Sequence, residues 1–238
     1  GGARWDQLDA LGEGCAALLA SRGTQTAGLC LLDLRTRPVG RLSAVAVADR
    51  EQVSEVWHEL WQAAELYLRN QGLQFAYYVG EAPWLLQVLG EHGFKHVNTL
   101  LGYEWTQATA VPAGQTTARV RPARPSDLPE VEEIDAASFP LLWRYPRPML
   151  EAALQPPWRF AVVEWERRLV GYQICSQDGS EGQIVRLAVQ PEYRRRGIAS
   201  RLLADTLDTF RRGRVRRVSL NTQGDNIPAQ KLYERFGF

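Results

Sequence analysis

Within residues 183–199, QIVRLAVQPEYRRRGIA, an apolar strand-like run (Ile184, Val185, Leu187, Ala188, Val189) meets a proline-marked turn. Arg194-x-x-Gly197-x-Ala199 then opens a helical pattern. A helix start leaves backbone N–H groups without intrahelical partners and carries partial positive charge, so it attracts anions. Gly197 allows an anion to approach that backbone closely, and Arg194, Arg195 and Arg196 surround the turn with cations. The chemistry this pattern serves is the binding of a pyrophosphate. It has neither the Lys-Ser/Thr of a P-loop nor the repeated glycines of a dinucleotide fingerprint.

The elements that must position this turn are legible around it. Residues 118–122 read as a short strand, and Pro125-Ser126-Asp127 as a helix start with Asp127 close to the cap. Leu128, Val131, Ile134 and Asp135 begin an amphipathic helix that ends near Phe139-Pro140. Residues 141–158 are rich in Trp, Tyr and Pro, with a second short helix expected around 148–154. Residues 160–164 and 169–175 pair as a hairpin. After the central strand, Leu202, Leu203, Thr206, Leu207 and Phe210 recur at helical spacing. Residues 216–222 form the next strand, and residues 227–236 the last helix, whose apolar face carries Ala229, Leu232, Tyr233 and Phe236. Asn226 stands before Pro228, where an N-cap is expected.

The turn, the strand 218–222, Asn226, Leu232-Tyr233 and Gly237-Phe238 occur in an order and spacing that resembles the GNAT superfamily of acyl-CoA-dependent N-acyltransferases. In that family the pyrophosphate loop has the form Arg/Gln-x-x-Gly-x-Gly/Ala, and the resemblance covers residues 118–238. It implies an α/β (α+β) fold with a mixed, mostly antiparallel central sheet flanked by helices. The implied cosubstrate is acetyl-CoA, and the implied reaction is direct attack of a primary amine on the thioester in a ternary complex. Backbone contacts are implied at Leu187, Ala188 and Val189, and pyrophosphate contacts at Arg194, Arg195, Arg196, Gly197, Ile198, Ala199 and Ser200. Asn226 and Arg235 match further cofactor contacts, and Tyr233 matches the general acid. A tyrosine of ordinary pKa, about 10, is protonated at neutral pH and can donate to a departing thiolate. The same spacing also fits a core aromatic at Tyr233 and a plain N-cap at Asn226.

The C-terminal half is similar to ribosomal-protein alanine N-acetyltransferases, partly through Ala137-Ser138-Phe139-Pro140. Those enzymes place a Glu twelve residues before the Tyr, where this chain has Asn221. Other GNAT enzymes use a Glu at the start of the central strand, where it has Gln183. Glu181, a base acting through ordered water, and an acceptor amine of low pKa are the remaining options. Glu132, Glu133 and Asp135 either draw in a cationic amine or are ordinary helix carboxylates. Trp143, Tyr145 and Trp158 either wall the acceptor side or pack the core. Missing carboxylates at both usual base positions also fit an alternative, a non-catalytic acyl-CoA-binding module with regulatory or scaffold work. A protein N-terminus, an amino sugar, a polyamine and an antibiotic are all acceptors the resemblance allows.

The first half repeats this pattern. Residues 42–48 (LSAVAVA) match the central strand, 53–68 the long helix, 73–79 the next strand and 83–92 the last helix, ending in Gly93-Phe94. Where the second half has RRRGIA, the first has QVSEVW, without glycine or arginine and with Glu55 to repel a phosphate; Leu89 falls where Tyr233 lies. The expected organisation is a degenerate GNAT-like domain over residues 1–105, a linker over 106–117, and an acetyl-CoA-binding GNAT domain over 118–238. Residues 97–105 supply strand material that the second half lacks.

Composition bounds the partners. With 28 basic and 27 acidic side chains among 238 residues, nucleic acid is not the expected partner. The cluster Arg211, Arg212, Arg214, Arg216 and Arg217 is either a solvated surface or a local anion contact. Cys15, Cys30 and Cys175 are odd in number and widely spaced, so a reduced, cytoplasmic protein is expected. They make no zinc spacing with His58, His92 and His96, so no metal is expected. No apolar run has the ~20 residues of a membrane span. Gly1-Gly2 and a sole methionine at Met149 read as a replaced or processed start, and the sequence as part of a longer chain.

Overall fold

The computed structural model describes residues 14–49, 52–106 and 111–238, together with the backbone of residues 3–6. Gly1-Gly2 and part of the expected linker lie outside the described residues. The chain divides into two units, Gly1–His96 and Val97–Phe238.

In the first unit, β1 (Ala3–Asp6), β2 (Cys15–Arg22), β3 (Gln25–Asp33), β4 (Val39–Val47) and β5 (Phe75–Tyr78) follow one another across a single sheet. All pairs are antiparallel except β4 with β5. A parallel pair needs a crossover, and α1 (Val53–Asn70) provides it; α2 (Pro83–Glu91) follows β5. Val56, Trp57, Leu60, Ala64 and Leu68 make the buried stripe of α1, which packs on Leu18, Leu32 and Leu42 of the sheet. Each Val or Leu among them contributes about 1.5–3 kcal/mol when fully buried.

The second unit repeats the plan with additions. Its sheet runs β6-β11-β10-β9-β8-β7, where β6 is Leu100–Thr106, β7 Arg119–Pro122, β8 Trp158–Trp165, β9 Arg168–Asp178, β10 Glu181–Val189 and β11 Arg217–Gln223. Again a single pair, β10 with β11, is parallel, and α5 (Ile198–Arg212) makes the crossover. Helices α3 (Leu128–Ser138) and α4 (Arg147–Ala152) lie between β7 and β8 in sequence, and α6 (Ile227–Arg235) follows β11. Both units therefore have the mixed, mostly antiparallel sheet flanked by helices that the sequence leads one to expect.

The repeat extends to backbone irregularities. In each unit the parallel pair is four residues long, Val39–Leu42 with Phe75–Tyr78 and Glu181–Ile184 with Arg217–Leu220. In each, the central strand then bulges against its antiparallel neighbour, at Ser43 and at Val185. A bulge bends its strand and increases the local twist, and here it marks where the parallel partner departs.

One element sits elsewhere than expected. Residues 97–105, grouped by sequence with the first half, supply β6, which pairs antiparallel with β11 in the second sheet. Trp105 of β6 is fully buried there with Val218, Leu220 and Phe236. Local periodicity identifies a strand, but its partner depends on long-range packing.

Candidate active site

The bulge at Val185 prepares an open strand edge. Beyond Ile184, β10 keeps its ladder with β9 up to Val189, while its pairing with β11 has ended. Gln190 N–H donates to Val170 O at 2.9 Å. Alternation along an antiparallel ladder therefore turns the backbone groups of Ala188 toward β9 and those of Leu187 and Val189 toward the open edge. Of the three strand residues expected at the cofactor, Leu187 offers both backbone groups and Val189 its N–H to the open edge, and Ala188 offers neither. The Val189 carbonyl accepts from Arg194 Nε at 3.0 Å and from Ser138 Oγ at 3.3 Å. Arg194 thus folds its Nε back onto the strand while remaining exposed, as Arg195 and Arg196 are.

Gly197 is the N-cap residue of α5, at φ 80° and ψ 3°, and no side chain caps the helix. The first-turn amides of Ile198, Ala199 and Ser200 have no intrahelical acceptor by position. Arg195 also lies at positive φ, 59°, uncommon for a residue with a β-carbon and characteristic of constrained functional loops. The donor set suits a pyrophosphate: free amides, a glycine at the closest approach and exposed arginines around the turn. The cluster Arg211–Arg217 belongs to the opposite end of α5, about 20 Å away at 1.5 Å per residue. There Arg211 lies over Trp105 and Arg217 pairs with Glu181 and Glu104, so the cluster does not join the turn.

Tyr233 on α6 is 7% exposed and shares one apolar cluster with Leu187 of the open edge. Burial first, and the neighbouring Tyr103 phenol second, push its pKa up to about 12. Asn226 is the N-cap of α6: its Oδ1 accepts from Ala229 N–H at 3.3 Å, and its Nδ2 donates to Thr222 Oγ1 at 3.2 Å. Arg235 donates to Ser200 Oγ at 2.5 Å, bringing its charge to the first turn of α5.

The carboxylates are placed less usefully. Glu181 forms a 2.7 Å ion pair with Arg217 at the far end of β10, about 20 Å along the strand from Leu187. That geometry removes it as a base. Glu132 pairs with Arg147 at 2.7 Å. Asp135 is buried and chelates the guanidinium of Arg186, so it is not an amine-recruiting surface charge. The same carboxylate accepts from Tyr145 N–H at 2.8 Å and Tyr172 OH at 3.0 Å. Phe139 and Tyr145 cover the guanidinium at 3.6 and 4.0 Å from their ring centroids. Tyr145 accordingly packs this clamp, while Trp158 is 38% exposed on β8.

Sequence reasoning passed over Arg186 and Tyr103. A signal for Arg186 existed, because a charge inside a buried strand requires a partner. Tyr103 had none, since its neighbour depends on where β6 pairs.

The first unit has the same divergence of β4 and β5 without the anion chemistry. A cavity of about 670 Å³ opens there, lined by Ala46, Val47, Val53, Ser54, Pro83, Trp84, Gln87 and Val88, none of them charged. Glu55, in the first turn of α1, pairs with Arg22 at 3.0 Å. Among the described residues no group of three or more His, Cys, Asp or Glu side chains could hold a metal ion. No helix among them is long and apolar enough to cross a membrane.

Comparison with known proteins agrees with this geometry. The acetyltransferase (GNAT) family profile matches residues 128–238. A provisional ribosomal protein bS18-alanine N-acetyltransferase of Bacillus subtilis (strain 168) is 32% identical over 123 residues, covering 52% of this chain and 82% of its own length. The fold is similar to a GCN5-related N-acetyltransferase from Sphaerobacter thermophilus, with TM-score 0.66 and 20% identity over 95% of this chain and 77% of that one. It is also similar to a tandem GNAT protein from the clavulanic acid biosynthesis pathway, with TM-score 0.65 and 15% identity over 92% of this chain and 78% of the other. The chain belongs to the acetyltransferase (GNAT) family and is an N-acetyltransferase that uses acetyl-CoA.

Proposed function

We propose that the second unit transfers acetyl directly from acetyl-CoA to an α-amino group, with Tyr233 as general acid. The observation that carries this reading is the free edge of β10 at Leu187 and Val189, flanked by the Gly197 turn and by Tyr233. An edge N–H from Leu187 or Val189 would hold the thioester oxygen as it gains charge, an effect worth about 2.7–4 kcal/mol. The amine nitrogen would bond to the acetyl carbon as the carbon–sulfur bond breaks. Tyr233 would give its proton to the thiolate and recover one from solvent, while the amine loses its own to water.

The acceptor class follows from what the site lacks. With Glu181 held by Arg217, and Asn221 and Gln183 at the usual base positions, none of these three positions supplies a free carboxylate for the amine's proton. An α-amine of pKa about 7.7–8.0 is partly neutral without help, whereas a lysine near 10.4 is not. In this reading the first unit carries no transfer site, and the free cysteines suit a reducing, cytoplasmic setting.

Thiol release from acetyl-CoA, measured with peptides bearing a free α-amine and with N-blocked peptides bearing lysine, tests the proposal. Transfer to the α-amine is expected. Transfer to lysine alone would overturn the acceptor class. Binding of acetyl-CoA without transfer to any amine would favour the non-catalytic module, the reading that the missing base also fits.

A further inference from the structure

The route of the chain between β6 and β7 has a consequence for the pyrophosphate turn. These strands occupy opposite edges of the second sheet, in the order β6-β11-β10-β9-β8-β7. Five inter-strand spacings of about 4.8 Å make a crossing of about 24 Å.

The described part of this crossing runs along the first turn of α5. Val111 packs against the cluster of Trp105, Leu203 and Leu207, and Ala118 is buried beside Ile198 and Leu202. Between them, Gln115 N–H donates to the carbonyl of Gly197 at 3.1 Å. Gly114, at φ 72°, lies so close that a β-carbon there would stand 2.3 Å from Arg201 N and 2.6 Å from the carbonyl carbon of Ser200. A second path leads back to the turn. Gln115 Oε1 accepts from the Thr117 hydroxyl at 3.2 Å, and that hydroxyl accepts from the Trp165 indole N–H at 3.1 Å. The guanidinium of Arg196 stands 5.3 Å from the Trp165 ring and 5.7 Å from Tyr193. The circuit starts at Gly197 and closes at Arg196.

We propose that residues 113–117 are a strap that holds the pyrophosphate turn in its binding conformation. Gln115 fixes Gly197 through the backbone, and Thr117 with Trp165 fixes Arg196. Because the turn is ordered before the anion arrives, less conformational entropy is lost on binding. These are positioning residues, acting only on the pyrophosphate end of the cosubstrate. The inference rests on reading residues 194–200 as the pyrophosphate site.

The test compares dissociation constants for acetyl-CoA and for S-acetylpantetheine, which has the thioester arm without the pyrophosphate. Gly114→Ala forces the strap away from α5. It should weaken acetyl-CoA by about tenfold, or about 1.4 kcal/mol, and leave S-acetylpantetheine unmoved. Thr117→Val, a milder change that removes both hydroxyl bonds, should weaken acetyl-CoA alone by about threefold, within the range of one hydrogen bond. Equal losses for both ligands would make the strap merely structural and overturn the proposal, as would no loss for either. If the unaltered chain binds both ligands equally well, the pyrophosphate adds no affinity, residues 194–200 are not its site, and the strap falls with that reading.

Discussion

Tyr103 and Tyr233 lie ring against ring with centroids 5.8 Å apart, one from a strand that precedes the strap and one from the last helix. The contact helps to keep Tyr233 in its acid form. Its pKa, pushed up to about 12 mainly by burial, means that the proton is held through any ordinary assay pH. Turnover should therefore show no basic decline attributable to Tyr233 up to about pH 11, whereas an exposed tyrosine with a pKa near 10 would begin to fail about two units lower. Tyr233→Phe should lower kcat by about 10²–10⁴-fold across that whole range. Its acetyl-CoA affinity should stay unchanged, measured by titration calorimetry. A variant that turns over normally would remove Tyr233 from the proton path.

The clamp between Arg186 and Asp135 should dominate the stability of the second unit. Two buried charges, each satisfied by the other and by Tyr172 and Tyr145, tolerate no single loss. Removing one partner of a buried pair leaves the other uncompensated, at a cost of about 3–5 kcal/mol. Asp135→Leu or Arg186→Met alone should lower the melting temperature by about 10 °C, since 1 kcal/mol is about 2–4 °C at this size. Asp135→Leu combined with Arg186→Met should lose less than the two single losses summed, although Tyr145 N–H and Tyr172 OH still forfeit their acceptor. Calorimetric melts of the three variants provide the check, and additive losses in the double variant would argue against a coupled pair.

What the sequence could express was local. Alternation and helical spacing located the strands and helices of the second unit, because Leu202, Leu203, Leu207 and Phe210 form the face that α5 buries. The Gly197 turn was equally legible, since a helix start and a left-handed glycine are local properties. The partner of β6 was not, because Trp105 fits any apolar surface and the sheet decides which one. Nor was the bulge at Val185, which depends on competition between β9 and β11 for the same strand. Glu181 appeared usable as a base from its position alone, and its pairing with Arg217 across the parallel ladder could be seen only in three dimensions.

Asp127 should set part of the acid stability. It stands at the N-cap position of α3, but its carboxylate turns away from that helix: it accepts from Arg124 N–H at 2.7 Å and forms a two-pronged pair with Arg121. Those donors, Arg121 foremost, hold its carboxyl below the usual carboxylate range. A depressed folded pKa contributes stability at pH above the ordinary value of about 3.9 and loses it as the pH falls through the folded value. Asp127→Asn should cost about 1.5–3 kcal/mol at neutral pH, the scale of a hydrogen bond to a charged group, here the lost pair with Arg121. The gap from the unaltered protein should close toward pH 2. Urea melts at a series of pH values measure it, and a pH-independent gap would assign the loss to packing.

The two buried thiols can report which unit holds acetyl-CoA. Cys30 lies in the core of the first unit, where burial pushes its pKa up to about 12, and Cys175 lies under α5 in the second, also raised chiefly by burial. Neither reacts as a thiolate in the folded state, so each should be labelled only as its own unit opens. Cys15, half-buried, should react first and serve as an internal control. A ligand bound to one unit at 100 times its dissociation constant stabilises that unit by about 2.7 kcal/mol, slowing labelling through its opening by about a hundredfold. Mass-spectrometric labelling with and without acetyl-CoA should therefore show Cys175 protected and Cys30 unchanged. Protection of Cys30 instead would place the cosubstrate in the first unit, where β4 and β5 part around an uncharged cavity, and would overturn the assignment of transfer to the second.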